Sequence, residues 1–568
     1  MDDNYIISNT CDGGEIISED YGDFIVEFYN VYELTKEIFS AVCSQVIGQT
    51  YSALFSPLNI IKERLNAGYY PYYNVPKLYS FDSRLFSINN SDISPALEAS
   101  GIAKVQAQQF LALTGRGVLI GIIDTGVDYR DKALRFNNGD TRIMYIWDQN
   151  TWGTPPSGFG YGTEWDSEDI NNSLRNNTPI INNDNSLHGT LLLKAACGRI
   201  ESDNIEERYT GAAPDSYIIV VKLKEAKKYL KDYYCLGENI KAYQENDIMA
   251  GITYIRNKAS AMEMPLVLLM TCNTSMGGHT GSLPLDVLAG RESEKYANCI
   301  IFSTGNKRER RHFRGNMSGL GNNEPQTVEL RIDNEEGIYM ELWGSGSESY
   351  GIGMISPSGE VIQRVPAQNA ISRFSLIISN TEVIIENKPA PGRDNIRVII
   401  IRMKNPSSGI WRINVYGENI ITGIYDIWLP ANDFISDGTF FLTSDPDITL
   451  TDPATTEQAL SVGAVDPLTL GIKPASGRGF TRNNNIKPDI VAPSTVGGIV
   501  DTGTAIAAGA AAQFMEWAIV RRNSIDARTD DIRNFFIVGA TRERNIMYPS
   551  TEYGYGRLNI YDSFSLYR

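Results

Sequence analysis

The sequence predicts an α/β protein: a doubly wound parallel sheet, preceded by a small α/β unit and interrupted by an inserted β-sandwich. Three observations carry this. Continuous apolar runs at 118–123, 217–223, 266–270 and 299–303 alternate with helical stretches, as buried strands of a parallel sheet covered on both faces do. Between about 323 and 437 the pattern changes to eight short strand-like runs without a helix, divided by turn signals such as Pro357-Ser358-Gly359 and Pro406-Ser407-Ser408-Gly409. The α/β pattern resumes at 458–465 and closes in a small-residue helix from Ala505 to about 522. The sandwich is therefore an insertion in the core.

Taken in order, the first 95 residues hold the alternating segment Phe24-Ile25-Val26-Glu27-Phe28, a helical pattern over 31–47 and a Tyr- and Pro-rich stretch at 69–76. Helical periodicity starts again at Ala96, and Gly115-Arg116-Gly117 stops it before the strand at 118–123. The expected divisions are 1–95, 96–322, 323–437 and 438–568. The sandwich is expected in jelly-roll form and packed on the core, because no Pro/Ser-rich tether separates its ends from core strands.

Composition narrows the function classes. With 42% hydrophobic and 21% charged residues the chain reads as soluble and globular. Its net charge of -17 opposes a phosphate backbone, and the one basic run, Lys307-Arg308-Glu309-Arg310-Arg311, is broken by a glutamate. Nucleic acid is excluded as a partner. Neither a signal peptide nor a run of roughly 18 apolar residues is visible, so no membrane span is expected. Six cysteines (Cys11, Cys43, Cys197, Cys235, Cys272, Cys299) show no metal-ligand spacing. They are expected as unpaired thiols of a reducing compartment, and no metal or cofactor is implied.

Two segments carry chemistry. Asp124-Thr125-Gly126-Val127-Asp128 follows a buried strand directly, which puts Asp124 at the carboxyl end of the sheet, where open α/β folds place their catalytic groups. His188-Gly189-Thr190 opens a buried helical run and holds one of only three histidines. An acid that orients a histidine base is two thirds of a serine-protease triad.

With these segments the chain, from about 96 to 568, resembles the subtilases, whose catalytic order is Asp, His, Ser. Gly121-Ile122-Ile123-Asp124-Thr125-Gly126 is similar to the aspartate motif and His188-Gly189-Thr190 to the histidine motif; Gly211-Ala212-Ala213-Pro214 and Ile486-Lys487-Pro488-Asp489-Ile490-Val491-Ala492-Pro493 have family counterparts. The resemblance implies that Ser275, Met276, Gly277 and Gly278 form a substrate-binding edge. It also implies that Asn306, in Thr304-Gly305-Asn306, faces the substrate carbonyl as the oxyanion residue.

The departure is at the nucleophile. Where subtilases have Gly-Thr-Ser-x-Ala, this chain reads Gly503-Thr504-Ala505-Ile506-Ala507, and no serine occurs from Thr502 to Arg522. Either Ala505 replaces the serine, or about four residues, one helical turn, have been lost after Thr504.

In its details the chain is similar to the clostridial Csp germination proteases. That resemblance implies an N-terminal prodomain acting as intramolecular chaperone, whose tail lies in the active-site groove and whose junction near 89–96 stays uncut without a serine. It further implies a place in the spore, with a cortex-hydrolase zymogen or other Csp proteins as partners. Three functions follow as alternatives: a pseudoprotease that regulates zymogen activation, an active endopeptidase whose serine was removed by engineering, or a carbohydrate-binding protein working through the jelly roll.

Overall fold

The computed structural model describes residues 10–27, 39–82, 88–181, 187–204, 206–305, 310–321, 324–346, 348–368, 370–390 and 396–566. Among them an eight-stranded sheet forms the centre, in the order Ile490–Pro493, Leu460–Val465, Asn298–Ser303, Leu266–Met270, Leu119–Asp124, Tyr217–Lys222, Ile143–Asp148 and Thr163–Asp166. All neighbours are parallel except the last pair. Side chains alternate across the sheet. Ile120 and Ile122 of the central strand face a core shared with helices His188–Cys197 and Val500–Met515, while Leu119 and Ile123 face one shared with helices Glu245–Ala261 and Pro284–Ser293. Burial on both faces explains why these strands are continuously apolar.

The Val500–Met515 helix lies unusually close to its neighbours because its side chains are small. A Cβ on Gly509 would run into Ala212 and the Ala196 carbonyl, so a larger residue there would push the two helices apart.

Two antiparallel sheets, of six and five strands, occupy the span from His312–Asn316 to Phe440–Phe441 and face each other across one apolar core. The strand His312–Asn316 thus joins the sandwich ahead of the expected boundary at 323.

The N-terminal unit is a three-stranded antiparallel sheet, Tyr21–Glu27, Tyr51–Pro57 and Cys43–Ile47, with helix Leu58–Asn66. The helical pattern expected over 31–47 fails at its end, since Cys43–Ile47 is a strand; residues 28–38 lie outside the described residues. The unit is clamped to the core by a buried ion pair, Lys227 Nζ to Asp23 Oδ1 at 2.6 Å. Tyr229 reinforces it, accepting from the Asp23 N–H at 2.6 Å.

The cysteine expectation needs correction. Cys11 and Cys43 form a disulfide, while Cys197, Cys235, Cys272 and Cys299 are buried and free. Their separation of 32 residues matches no motif. What joins them is pairing of the Thr10 N–H with the Ser44 carbonyl at 2.9 Å, which lays the leading segment along the strand Cys43–Ile47. Cys43→Ser is expected to destabilise the N-terminal unit by about 3.7 kcal/mol, the chain-entropy value for a loop of this size. Urea unfolding followed by hydrogen exchange of the strand Tyr21–Glu27 measures it, and no change on substitution would mean the bond constrains nothing.

Candidate active site

Asp124 ends the central strand and is wholly buried. Its Oδ1 accepts from the Thr125 N–H at 2.8 Å, and its Oδ2 lies 2.9 Å from Nδ1 of His188. His188 is the first residue of its helix and is also buried. The approach depends on the next residue: a Cβ on Gly189 would strike the Gly126 carbonyl and the Asp124 side chain. Glycine after the histidine is thus a steric requirement of the pair.

The other ring nitrogen meets a different residue from the one expected. Nε2 of His188 lies 3.3 Å from Oδ2 of Asp501, whose Oδ1 accepts from the Ser303 hydroxyl at 2.6 Å. The helix begins at Val500, so Asp501 sits in its first turn. Ala505 is four residues on, about 6 Å along the axis, and packs in the apolar core with helix His188–Cys197. The assignment of residue 505 to the nucleophile position is corrected accordingly: the side chain facing the histidine is Asp501. Thr504, inside the helix, directs its hydroxyl toward the Val462 carbonyl at 3.5 Å.

This arrangement disfavours base catalysis. A general base needs a free lone pair on Nε2, and here each ring nitrogen is engaged by a carboxyl group. Burial would lower the His188 pKa, but Asp124 and then Asp501 override it and hold the imidazole well above its ordinary value. Asp501 is itself raised, by burial first, with His188 and Ser303 opposing and Asp82 adding to the rise.

Both shifts have the same sign for stability. A histidine raised on folding contributes stability that is complete below its unfolded value of about 6.5 and is lost as pH climbs through the folded value. A raised aspartate likewise costs stability as pH rises above about 3.9. Urea midpoints are therefore expected to fall as pH rises above about 6.5, and His188→Gln should flatten that slope. An unchanged slope in H188Q would mean the proton is held elsewhere.

The N-terminal unit reaches this site. Leu78–Tyr79 pairs antiparallel with Tyr243–Gln244 on one side, and Ser80 exchanges two backbone hydrogen bonds of 2.9 Å with Asn273 on the other. The next ring, Phe81, has its centroid 5.7 Å from that of His188, and Asp82 is buried and acts electrostatically on Asp501. Residues 78–82 therefore fill the groove as an extended strand. Residues 89–96, where the junction is expected, fall on helix Asn90–Ala99, which opens with a capping box between Asn89 and Asp92.

The remaining expected residues fall as follows. Ser275 and Met276 are buried, the Gly277 N–H donates to Oε2 of Glu341 at 2.8 Å, and Gly278 packs under Trp343 of the sandwich. In this structure Gly277 and Gly278 meet the sandwich, and the edge that binds an extended strand is at Asn273. Asn306 lies outside the described residues. Sequence reasoning missed Asp501 and the strand at 78–82. An acidic residue in a first helical turn is ordinary macrodipole compensation, so nothing local marked Asp501 as special.

A parallel sheet that presents an aspartate at a strand end to a histidine opening the next helix, with a small-residue helix pointing at both, defines a subtilisin-like protein. Residues 115–329 match the Subtilase family, Peptidase_S8. The structure is similar to that of the CspB protease of Clostridium perfringens, 27% identical with a TM-score of 0.72, over 83% of this chain and 97% of that one. The epidermin leader peptide processing serine protease (EpiP) of Staphylococcus aureus is 12% identical with a TM-score of 0.43, over 96% of this chain and 98% of that one. Comparison with curated proteins finds no match. The chain is a subtilisin-like protein related to CspB. Among the described residues no helix is long and apolar enough to cross a membrane.

Proposed function

We propose that this chain is a pseudoprotease of the Csp type that acts in spore germination by binding, regulating activation of a cortex-hydrolase zymogen rather than cutting it. One observation carries the reading: a carboxyl group, not a hydroxyl, meets Nε2 of His188. Acyl transfer needs a nucleophile there and a lone pair to take its proton, and the site offers neither. The strand at 78–82 in the groove supports the same reading, with the N-terminal unit as a prodomain that is never released. An engineered Ser-to-Ala exchange at 505 does not account for Asp501 beside the histidine.

The test separates presence from catalysis. In a spore-former carrying this gene, deletion should block germination and zymogen processing, while His188→Gln, checked for folding by circular dichroism, should leave both intact. The purified chain should run as one uncut band and take up no fluorophosphonate. Self-cleavage or labelling that disappears with His188→Ala would overturn the proposal, as would a folded H188Q chain that behaves like the deletion.

A further inference from the structure

The seam between the sandwich and the subtilisin-like core holds a second polar constellation that the first site does not use. A cavity of about 250 Å³ opens there, walled by Arg314, Asp426, Ile424 and Ile396 from the sandwich and by Arg482 and Asn483 from the core. Asp426 is buried and its oxygens are fully engaged. Oδ1 accepts from Nε2 of His312 at 3.0 Å and Nη1 of Arg314 at 3.2 Å; Oδ2 accepts from Nε of Arg482 at 2.9 Å. Burial alone would raise this carboxyl, but the His312 hydrogen bond and the two arginines hold it at about 2.

Among the described residues charge does not balance at this wall. Two guanidinium groups share one carboxylate, with Arg482 7% and Arg314 32% exposed, so an excess positive charge sits in a partly desolvated place within a chain of net charge -17. Unpaired buried charge is costly, and a small anion would relieve it. Donors remain for one. A guanidinium has five N–H groups. Arg314 uses Nη1 on Asp426, while Arg482 uses Nε on Asp426 and Nη2 on the Trp343 and Gly344 carbonyls. Neither guanidinium makes a further hydrogen bond among the described residues. Planar N–H pairs of this kind suit the two oxygens of a carboxylate. Ile396 and Ile424 line the same cavity and offer apolar surface to whatever the acid group is attached to.

We propose that this cavity is a binding site for a small aliphatic carboxylate, held by Arg314 and Arg482 at the seam between the two domains. Because the ligand would touch both domains at once, it would tie the sandwich to the core.

The full chain titrated with sodium butyrate, by calorimetry and thermal shift, tests this against sodium chloride and inorganic phosphate at matched ionic strength. Butyrate should bind saturably and raise the melting midpoint, with chloride and phosphate ineffective. Arg314→Gln, at a side chain 32% exposed, should weaken butyrate at least tenfold without unfolding the chain; Arg314→Lys, which keeps the charge and loses the fork, should fall between. Three results would overturn the proposal: no saturable butyrate binding, an equal effect of phosphate or chloride, or unchanged butyrate affinity in R314Q.

Discussion

Asp501→Ser is expected to produce a chain that cuts itself, while Ala505→Ser is expected to leave it intact. The two positions are one helical turn apart, and only residue 501 faces Nε2 of His188. A hydroxyl at 501 would replace the carboxyl group that engages the ring and leave the Asp124–His188 pair free to work as base and orienting acid. Removal of the serine from the triad of subtilisin costs on the order of 10⁶ in turnover, so its return to a correct position should yield a gain of several orders of magnitude. At 505 the same hydroxyl would be buried in an apolar core, about 6 Å along the helix from the ring, and misplacement of that size forfeits the proximity on which catalysis depends. The bond at risk follows from the strand in the groove. Phe81 lies against His188 and Asp82 beside Asp501, so cleavage should fall just after Asp82, giving two bands on a denaturing gel and a new N-terminus that sequencing can read. His188→Ala in the D501S background should restore the single band. Cleavage by A505S, with D501S silent, would sink the placement of Asp501.

The second large effect is expected at Glu341, a buried side chain of the sandwich strand Gly337–Trp343. Its carboxylate joins three parts of the molecule. It accepts from the Tyr72 hydroxyl of the N-terminal unit at 2.8 Å, from the Gly277 N–H of the core at 2.8 Å, and from Trp343 Nε1 at 2.9 Å and the Tyr339 hydroxyl within the sandwich. Glu341→Ala leaves all four donors without their acceptor in a place water does not reach. The Trp343 and Gly277 donors are fixed and cannot turn away. A loss of about 3–5 kcal/mol is expected, the range for removing one partner of a buried charged network. Glu341→Gln should lose less, since an amide oxygen still accepts. Urea unfolding measures the loss, and limited proteolysis should show the N-terminal unit released first in E341A. A destabilisation under about 1 kcal/mol, the scale of an ordinary exposed pair, would show that the carboxylate does not act as the joint between the three parts.

Much of the core was legible because parallel strands buried on both faces have no alternative to continuous apolar runs. The runs at 118–123, 217–223, 266–270 and 299–303 all fall on strands of the central sheet. The strands Ile143–Asp148 and Thr163–Asp166 were less legible, for they lie toward the edge: Met144 and Tyr145 are half-buried in the first, and Glu164 is half-buried and Asp166 exposed in the second. The mistaken helix over 43–47 has a similar cause. Five apolar and polar residues in a row satisfy either period, and only pairing with Tyr51–Pro57 selects the extended form.

The substrate-side edge shows the limit of motif reading. Ser275-Met276-Gly277-Gly278 has the right residue types for an open strand, yet the Gly277 N–H is taken by Glu341 and the backbone that pairs with the groove strand is at Asn273. A strand's partners are set by what lies beside it, and the sandwich that covers 277 enters the chain more than thirty residues later.

What the sequence determined by itself is the doubly wound core, an aspartate at a strand end, a histidine opening a helix, and a helix with no serine from Thr502 to Arg522. These follow from local periodicity and residue type. What only the tertiary structure decided is which side chain of that helix meets His188. Asp501 and Ala505 are separated by four residues and so share one face of the helix; periodicity cannot tell them apart. The choice is made by where the helix begins. The turn from strand Ile490–Pro493 is held by the Thr502 hydroxyl, which accepts from the Thr495 N–H at 3.1 Å and donates to the Ile499 carbonyl at 2.8 Å. That contact starts the helix at Val500 and sets a carboxyl group, one turn before the alanine, against the histidine.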